Sequence, residues 1–267
     1  MQGRTVLITG ATDGLGRAVA GDLVARGGRV LVHGRDRDRA EQVARAIGAG
    51  GVYVADLASL AEVRRLAAEV TRDHPALHVL VSNAGVGSTL PGDGARMESA
   101  DGYELRFAVN YLAGFLLTRL LEPLLIAGAP ARVVNVASAG QMPIDFDDVM
   151  LERDYDGTRA YCQSKLAQVM STFDLAERLR DAGVTVNALH PSTYMPTKMV
   201  LHARGSSVDT LEAGVAATVL LAADPQREGV TGRFFNRTAE ARAHEQAYDP
   251  QARRRLWELS ERLTGVG

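Results

Sequence analysis

Tyr161 and Lys165 lie four residues apart in the stretch RAYCQSKLAQ, residues 159–168. Leu166, Val169, Met170 and Phe173 recur at helical spacing behind them, so the phenol and the ammonium project from one helix face. A phenol with a pKa of about 10 is a weak proton donor and acceptor near neutrality, and a fixed positive charge close by favours its ionised form. The pair therefore has the makings of an acid-base catalyst. Composition sharpens the case: of 30 basic residues 28 are arginine, and only Lys165 and Lys198 are lysine. A chain that writes nearly every positive charge as arginine has use for a compact ammonium where it keeps one, since an ammonium can tune a phenol and hydrogen-bond a ribose at once. Lys198 survives the same bias in a segment without such a partner, where an exposed charge is the plain reading.

A second candidate site lies far upstream. In TVLITGATDGLGRAVA, Gly10, Gly14 and Gly16 follow an apolar run and open a helical pattern. A strand, a glycine turn and a helix in that order allow the backbone to approach a pyrophosphate closely and to bind it through free N–H groups at the helix N-terminus. Gly10, Thr12, Asp13, Gly14, Leu15 and Gly16 are the residues that would do so. The next apolar run ends VLVHGRDRDR, where a dinucleotide fold reads the adenosine ribose. No acid stands there to hold a ribose 2′-hydroxyl. Gly34 and Arg35 occupy the strand end, with Arg37 and Arg39 behind, and a guanidinium suits a 2′-phosphate. The expected cofactor is therefore NADP(H) in preference to NAD(H), against which Asp13 and Asp36 argue by repulsion.

The elements that must position these groups alternate along the chain. Apolar runs at 5–9, 29–33, 51–55, 78–82, 132–137, 184–189 and 232–235 are expected strands, and the stretches between them are long enough for helical crossovers, including 17–28 and 60–73. Near-continuous apolar strands separated by helices predict a doubly wound α/β sheet, parallel and covered on both faces. No repeat or linker divides the 267 residues, so one domain is expected over 1–267. A formal net charge of −2 gives no electrostatic reason to expect nucleic acid. The single Cys162 excludes an internal disulfide, the N-terminus shows no signal-peptide pattern, and charges interrupt every long apolar window, so a cytoplasmic protein without a membrane span is expected.

Taken together, these motifs resemble the short-chain dehydrogenase/reductase family over nearly the whole chain, and the tail DPQARRRLWELSERLTG resembles its retinol-dehydrogenase-like branch. The resemblance implies a single-domain Rossmann fold with a mostly seven-stranded parallel sheet. It also assigns roles. TGATDGLG matches the cofactor turn, Asp56 and Leu57 the adenine contact, and Asn83, Ala84 and Gly85 the fourth-strand motif. Asn110, Ser138, Tyr161 and Lys165 match the catalytic set: Tyr161 as general acid/base, Ser138 on the same substrate oxygen, Lys165 on the ribose and the phenol, Asn110 on a water leading to the lysine. After the sixth strand, HPSTYMPT keeps Pro191 but has Ser192 where the family has glycine, leaving the carboxamide contact open between Thr193 and Thr197.

The activity implied is hydride transfer between NADP(H) and the carbonyl or alcohol carbon of an apolar small molecule, with no metal. A non-catalytic NADP(H) sensor or scaffold and a redox-neutral epimerase or dehydratase are the alternatives. Substrate-lid segments are expected near 86–102, 141–157 and 193–210, the last two bringing Met142, Ile144, Phe146, Val149, Met150, Tyr194, Met195, Met199, Val200 and Leu201 as an apolar wall. Homodimer, homotetramer and monomer all remain open; the helices bearing Asn110 and Tyr161 form the usual dimer face in the family.

Overall fold

A computed structural model describes residues 1–89 and 95–267, apart from the side chains of Met199, His202 and Ala203. One sheet runs through it in the order β3-β2-β1-β4-β5-β6-β7-β8. The first seven strands are β1 (Thr5–Ile8), β2 (Arg29–Gly34), β3 (Gly51–Val54), β4 (Val79–Ser82), β5 (Ala131–Val136), β6 (Val184–His190) and β7 (Phe234–Asn236), all mutually parallel. An eighth, β8 (Ala239–Ala241), returns antiparallel on β7 at the edge. It is three residues long and carries one apolar side chain type, alanine, so no apolar run announces it.

Residues on successive positions of each strand feed opposite faces. Leu7 packs with Leu66, Leu116 and Leu166 on one face, while Val6 and Ile8 pack with Val19, Val219 and Leu221 on the other. The helices follow that division: α1 (Gly14–Ala25), α2 (Arg37–Ile47) and α7 (Leu211–Ala223) cover the second face, and α3 (Leu60–Asp73), α4 (Ala113–Ala127) and α5 (Gly157–Leu179) the first. Helix α3 has the expected limits. Helix α1 begins three residues earlier than the pattern 17–28 and ends before the Gly27–Gly28 pair, because its first turn is the glycine turn itself. The short α6 (Lys198–Arg204) forms inside the segment expected to be a lid, and α8 (Pro250–Thr264) closes the chain.

Helix α8 lies over α4 and α5. Trp257 is 5% exposed, meets Phe115 edge-on at 5.1 Å, and stacks under Arg178 at 3.8 Å. Tyr111 and Ser260 share a buried hydrogen bond of 2.6 Å. The expectation that no window reaches the length of a membrane span needs one qualification. Phe107–Ala127 is long and apolar enough by composition, yet 61% of that window is buried within the fold, and its charges Arg119 and Glu122 pair at 2.8 Å. It is a core helix of this sheet.

Candidate active site

Strand order reverses between β1 and β4, which leaves a crevice at their carboxyl ends. The glycine turn fills one wall of it. Gly10 and Gly14 have φ of 65° and 48°, in the left-handed region that glycine enters without strain. A methyl on Gly10 would lie 2.9 Å from the Ala84 Cα, and one on Gly16 only 2.3 Å from the Gly10 carbonyl oxygen. Gly34 serves the same closeness from β2, where a Cβ would fall 2.4 Å from Thr12 Cγ2. The turn is thus a bare-backbone cradle at a helix N-terminus, and the chain fits a dinucleotide pyrophosphate there. Gly16→Ala tests this packing: overlap with a carbonyl cannot be relieved by a rotamer change, so a loss of about 1–3 kcal/mol is expected, read as a fall in Tm.

Asn83 holds the cradle from the β4 side. Its Nδ2 donates to the carbonyls of Thr9 at 2.9 Å and Gly10 at 3.2 Å, and the Thr9 hydroxyl accepts from the Asn83 and Ala84 amides at 2.9 and 3.0 Å. Buried His33 does the same from β2. Its Nδ1 accepts from Gly10 N at 3.2 Å, leaving Nε2–H to donate to the Ala55 carbonyl at 3.1 Å, and burial lowers its pKa to about 4. The ring is neutral in use, and it ties the turn to the β3 end where Asp56 and Leu57 follow. Nothing in the sequence marks this histidine beyond its place at the end of a buried strand.

The charges beside the turn are paired. Asp13 caps α1 through Gly14 N at 2.8 Å and meets Arg39 at 2.8 Å and Lys198 at 2.9 Å, contacts that outweigh desolvation and lower its pKa. Asp36 caps α2 by accepting from Arg39 N at 3.0 Å. Neither carboxylate is left as a free repulsive charge, and Arg35 stands exposed just after the end of β2. Lys198, without an assignable partner in the sequence, therefore joins α6 to the glycine turn. Thr197, one residue before, caps α6 and would lie 3.1 Å from a Gly14 Cβ, whereas Thr193 hydrogen-bonds His190 Nε2 at 3.1 Å and donates its amide to Asp209 Oδ2 at 2.8 Å. Pro191 is buried at the end of β6.

Asn110, Ser138, Tyr161 and Lys165 converge on the opposite wall. The sequence expects a plain helix around Asn110; the structure gives a π-helical segment, Phe107–Leu112, ahead of α4. One extra residue in the turn is a device often found at functional positions, and it directs the Asn110 amide across to the chain leaving β4. Its Oδ1 accepts from Val86 N at 2.7 Å, while Nδ2 donates to Val86 O at 3.1 Å and Ser164 Oγ at 3.0 Å. Lys165 is 5% exposed; its Nζ donates to Val136 O at 2.8 Å and Gln168 Oε1 at 3.2 Å, and sits 5.9 Å from the Tyr161 ring centroid. Gly85 keeps the two walls in touch, since a Cβ there would fall 3.0 Å from Asn110 Oδ1 and 3.7 Å from Lys165 Nζ.

Protonation differs from the sequence expectation in one respect. Burial raises the Tyr161 phenol above its ordinary value, and the hydrogen bond with Ser138 offsets this only in part. Burial also lowers Lys165 to about 8. Desolvation is the first cause for both groups, so near neutrality the phenol keeps its proton.

The lid residues divide. Ile144 is 3% exposed and Met195 8%, each inside a core cluster, and Phe146, Val149 and Met150 pack against the core, so half of the expected apolar wall is structural filling. Met142, Tyr194 and Leu201 are 40%, 45% and 45% exposed and remain as free apolar surface. Tyr194 approaches Tyr161 closely enough to affect its titration, and its φ of 49° is a strained value for a bulky residue. Part of the 86–102 segment, residues 90–94, and the Met199 side chain lie outside the described residues.

The chain belongs to the short chain dehydrogenases, whose family profile matches residues 4–206. Among curated proteins it is 37% identical to retinol dehydrogenase 14 of Homo sapiens over 300 aligned residues, covering 100% of this chain and 88% of the relative. Among solved structures it superposes on an uncharacterized protein of Mycobacterium Paratuberculosis with a TM-score of 0.78 at 30% identity, covering 99% and 94% of the two chains. It also superposes on the Pseudomonas aeruginosa RhlG/NADP active-site complex with a TM-score of 0.72 at 27% identity, covering 88% and 95%. The protein is an oxidoreductase of this family, similar to the retinol dehydrogenases.

Proposed function

We propose that the protein transfers a hydride between NADP(H) and the carbonyl or alcohol carbon of a mainly apolar small molecule, with Tyr161 as general acid/base. The observation that carries this reading is the meeting of Tyr161, Ser138, Lys165 and Asn110 across the crevice from the glycine cradle. The bound nicotinamide would supply the hydride to the carbonyl carbon. Tyr161, held protonated by burial, donates its proton to the carbonyl oxygen, and the Ser138 hydroxyl hydrogen-bonds that oxygen as it gains charge. Lys165 stands beside Gly85 and would hold the nicotinamide ribose, and Asn110 orders the chain at Val86 beside it. An apolar substrate is supported by Met142, Tyr194 and Leu201 and by the retinol named in the similar dehydrogenases.

A panel of apolar ketones and aldehydes, a polyene aldehyde among them, incubated with purified protein and NADPH is the test. Oxidation of NADPH with one of these is the expected result. Tight cofactor binding without turnover would leave a sensor or scaffold, and product formation without net NADPH consumption would indicate a redox-neutral reaction.

The NADP(H) preference rests on Arg35 at the end of β2, with Arg37 and Arg39 behind it, and is in line with the NADP of the RhlG complex. Arg35→Asp is expected to shift the NADP(H)/NAD(H) ratio of kcat/KM by about 10–100-fold toward NAD(H), the scale of one charge-assisted contact. An unchanged ratio would remove Arg35 from the phosphate site. A cytoplasmic location belongs to the same reading, supported by the lone buried Cys162; recovery in the high-speed supernatant of cells is its check.

A further inference from the structure

The structure holds a buried ion pair that the catalytic reading leaves unused. Glu104 and Arg106 have side chains 1% and 3% exposed, 3.3 Å apart. Arg106 Nε donates to Gly87 O at 2.9 Å and its Nη2 to Ser88 O at 2.7 Å, while Nη1 faces Glu104 and the Tyr155 hydroxyl. Glu104 in turn accepts from Phe107 N at 2.7 Å, the first amide of the π-helical segment, and from Tyr155 at 3.0 Å. Arg106 therefore continues what Asn110 begins: Asn110 holds Val86 by both backbone groups, and Arg106 holds Gly87 and Ser88. Its other side touches the start of the Tyr161 helix, where a Cβ on Gly157 would lie 3.1 Å from Arg106 Nη2 and 2.7 Å from Ser88 O.

We propose that Arg106, fixed by Glu104, is a positioning residue that sets Asn110 and Tyr161 relative to the loop leaving β4, and that Tyr155 carries this setting to the 141–157 insert. A guanidinium suits the task because its planar fork reaches four differently placed acceptors at once, which an ammonium on a flexible stem does not. The proposal rests on the Tyr161 acid/base reading for its kinetic consequence, but the coupling itself is read without turnover.

The test compares Arg106→Lys and Tyr155→Phe with the unaltered protein. For Arg106→Lys, kcat for carbonyl reduction is expected to fall about 10²-fold, the effect of a misplacement on the order of an ångström, with the Kd for NADPH within a few-fold and the pH profile displaced. Tyr155→Phe should show a smaller loss in the same direction. Amide exchange should quicken in both 84–89 and 107–112 in each variant. A lowered Tm with unaltered kcat and pH profile, or faster exchange in one of the two segments alone, overturns the proposal. Should Arg106→Lys fail to fold, Tyr155→Phe with unaltered exchange and kcat does the same. Should the unaltered protein reduce no carbonyl, the acid/base reading fails by itself, and the exchange comparison still decides the coupling.

Discussion

Tyr161→Phe is expected to lower kcat for carbonyl reduction by about 10²–10⁴-fold, the range spanned by positioned general acids, while NADPH binding stays within a few-fold. Burial makes the effect large. The phenol is kept protonated in a pocket where its hydroxyl meets Ser138, and phenylalanine fills the same volume without the proton. Ser138 then remains to hydrogen-bond the substrate oxygen, so residual turnover above background is expected. Single-turnover kinetics with saturating NADPH separate the chemical step from binding, and a kcat within a few-fold of the unaltered protein would move the acid role elsewhere.

Lys165→Arg keeps the charge and should still bring a comparable loss. Nζ is enclosed at 2.8 Å from Val136 O and 3.2 Å from Gln168 Oε1, and a planar guanidinium cannot occupy that position with the same contacts. The same burial makes a pH statement possible. With its pKa at about 8 instead of the ordinary 10.5, Lys165 loses its proton first in the folded protein. Reduction by the unaltered enzyme should therefore decline as pH rises through about 8. The stability contribution runs the other way: between about 8 and 10.5 the unfolded chain binds more protons at this residue than the folded one, so raising pH across that window stabilises the fold through Lys165. A Lys165→Met variant should lack both trends, and a reduction rate flat from pH 7 to 9.5 in the unaltered enzyme would remove Lys165 from the alkaline limb.

Much of this site could be read before any coordinates, because its signals are local. The strand, glycine turn and helix around Gly10, and the four-residue offset of Tyr161 and Lys165, follow from backbone geometry within a few residues. What escaped the sequence depends on partners far along the chain. His33 acquires meaning only when Gly10 and Ala55 come to either side of its ring, and Arg106 only when Gly87, Ser88 and Tyr155 surround it. The π-helical segment at Asn110 has no composition of its own, since Phe107, Val109 and Leu112 suit an α-helix equally well. The lid pattern misled for a different reason: apolar side chains in an insert can face a ligand or the core, and periodicity does not say which. Ile144 and Met195 went to the core.

Gln141 and Gln246 give the region beside Ser138 an unusual dependence on the end of the chain. Gln141 donates to Ser138 O at 2.8 Å and accepts from His244 N at 2.8 Å, and Gln246 pairs with both backbone groups of Ile144 at 2.7 and 3.1 Å. The two amides act as substitute strand partners for a stretch that has no strand beside it. The tail after β8 therefore fixes the chain that leaves Ser138 as well as covering α4 and α5. Residues 243–248, remote in sequence from Ser138, thereby hold the backbone next to it, with Ala243 and Ala247 seated in the core as their anchor.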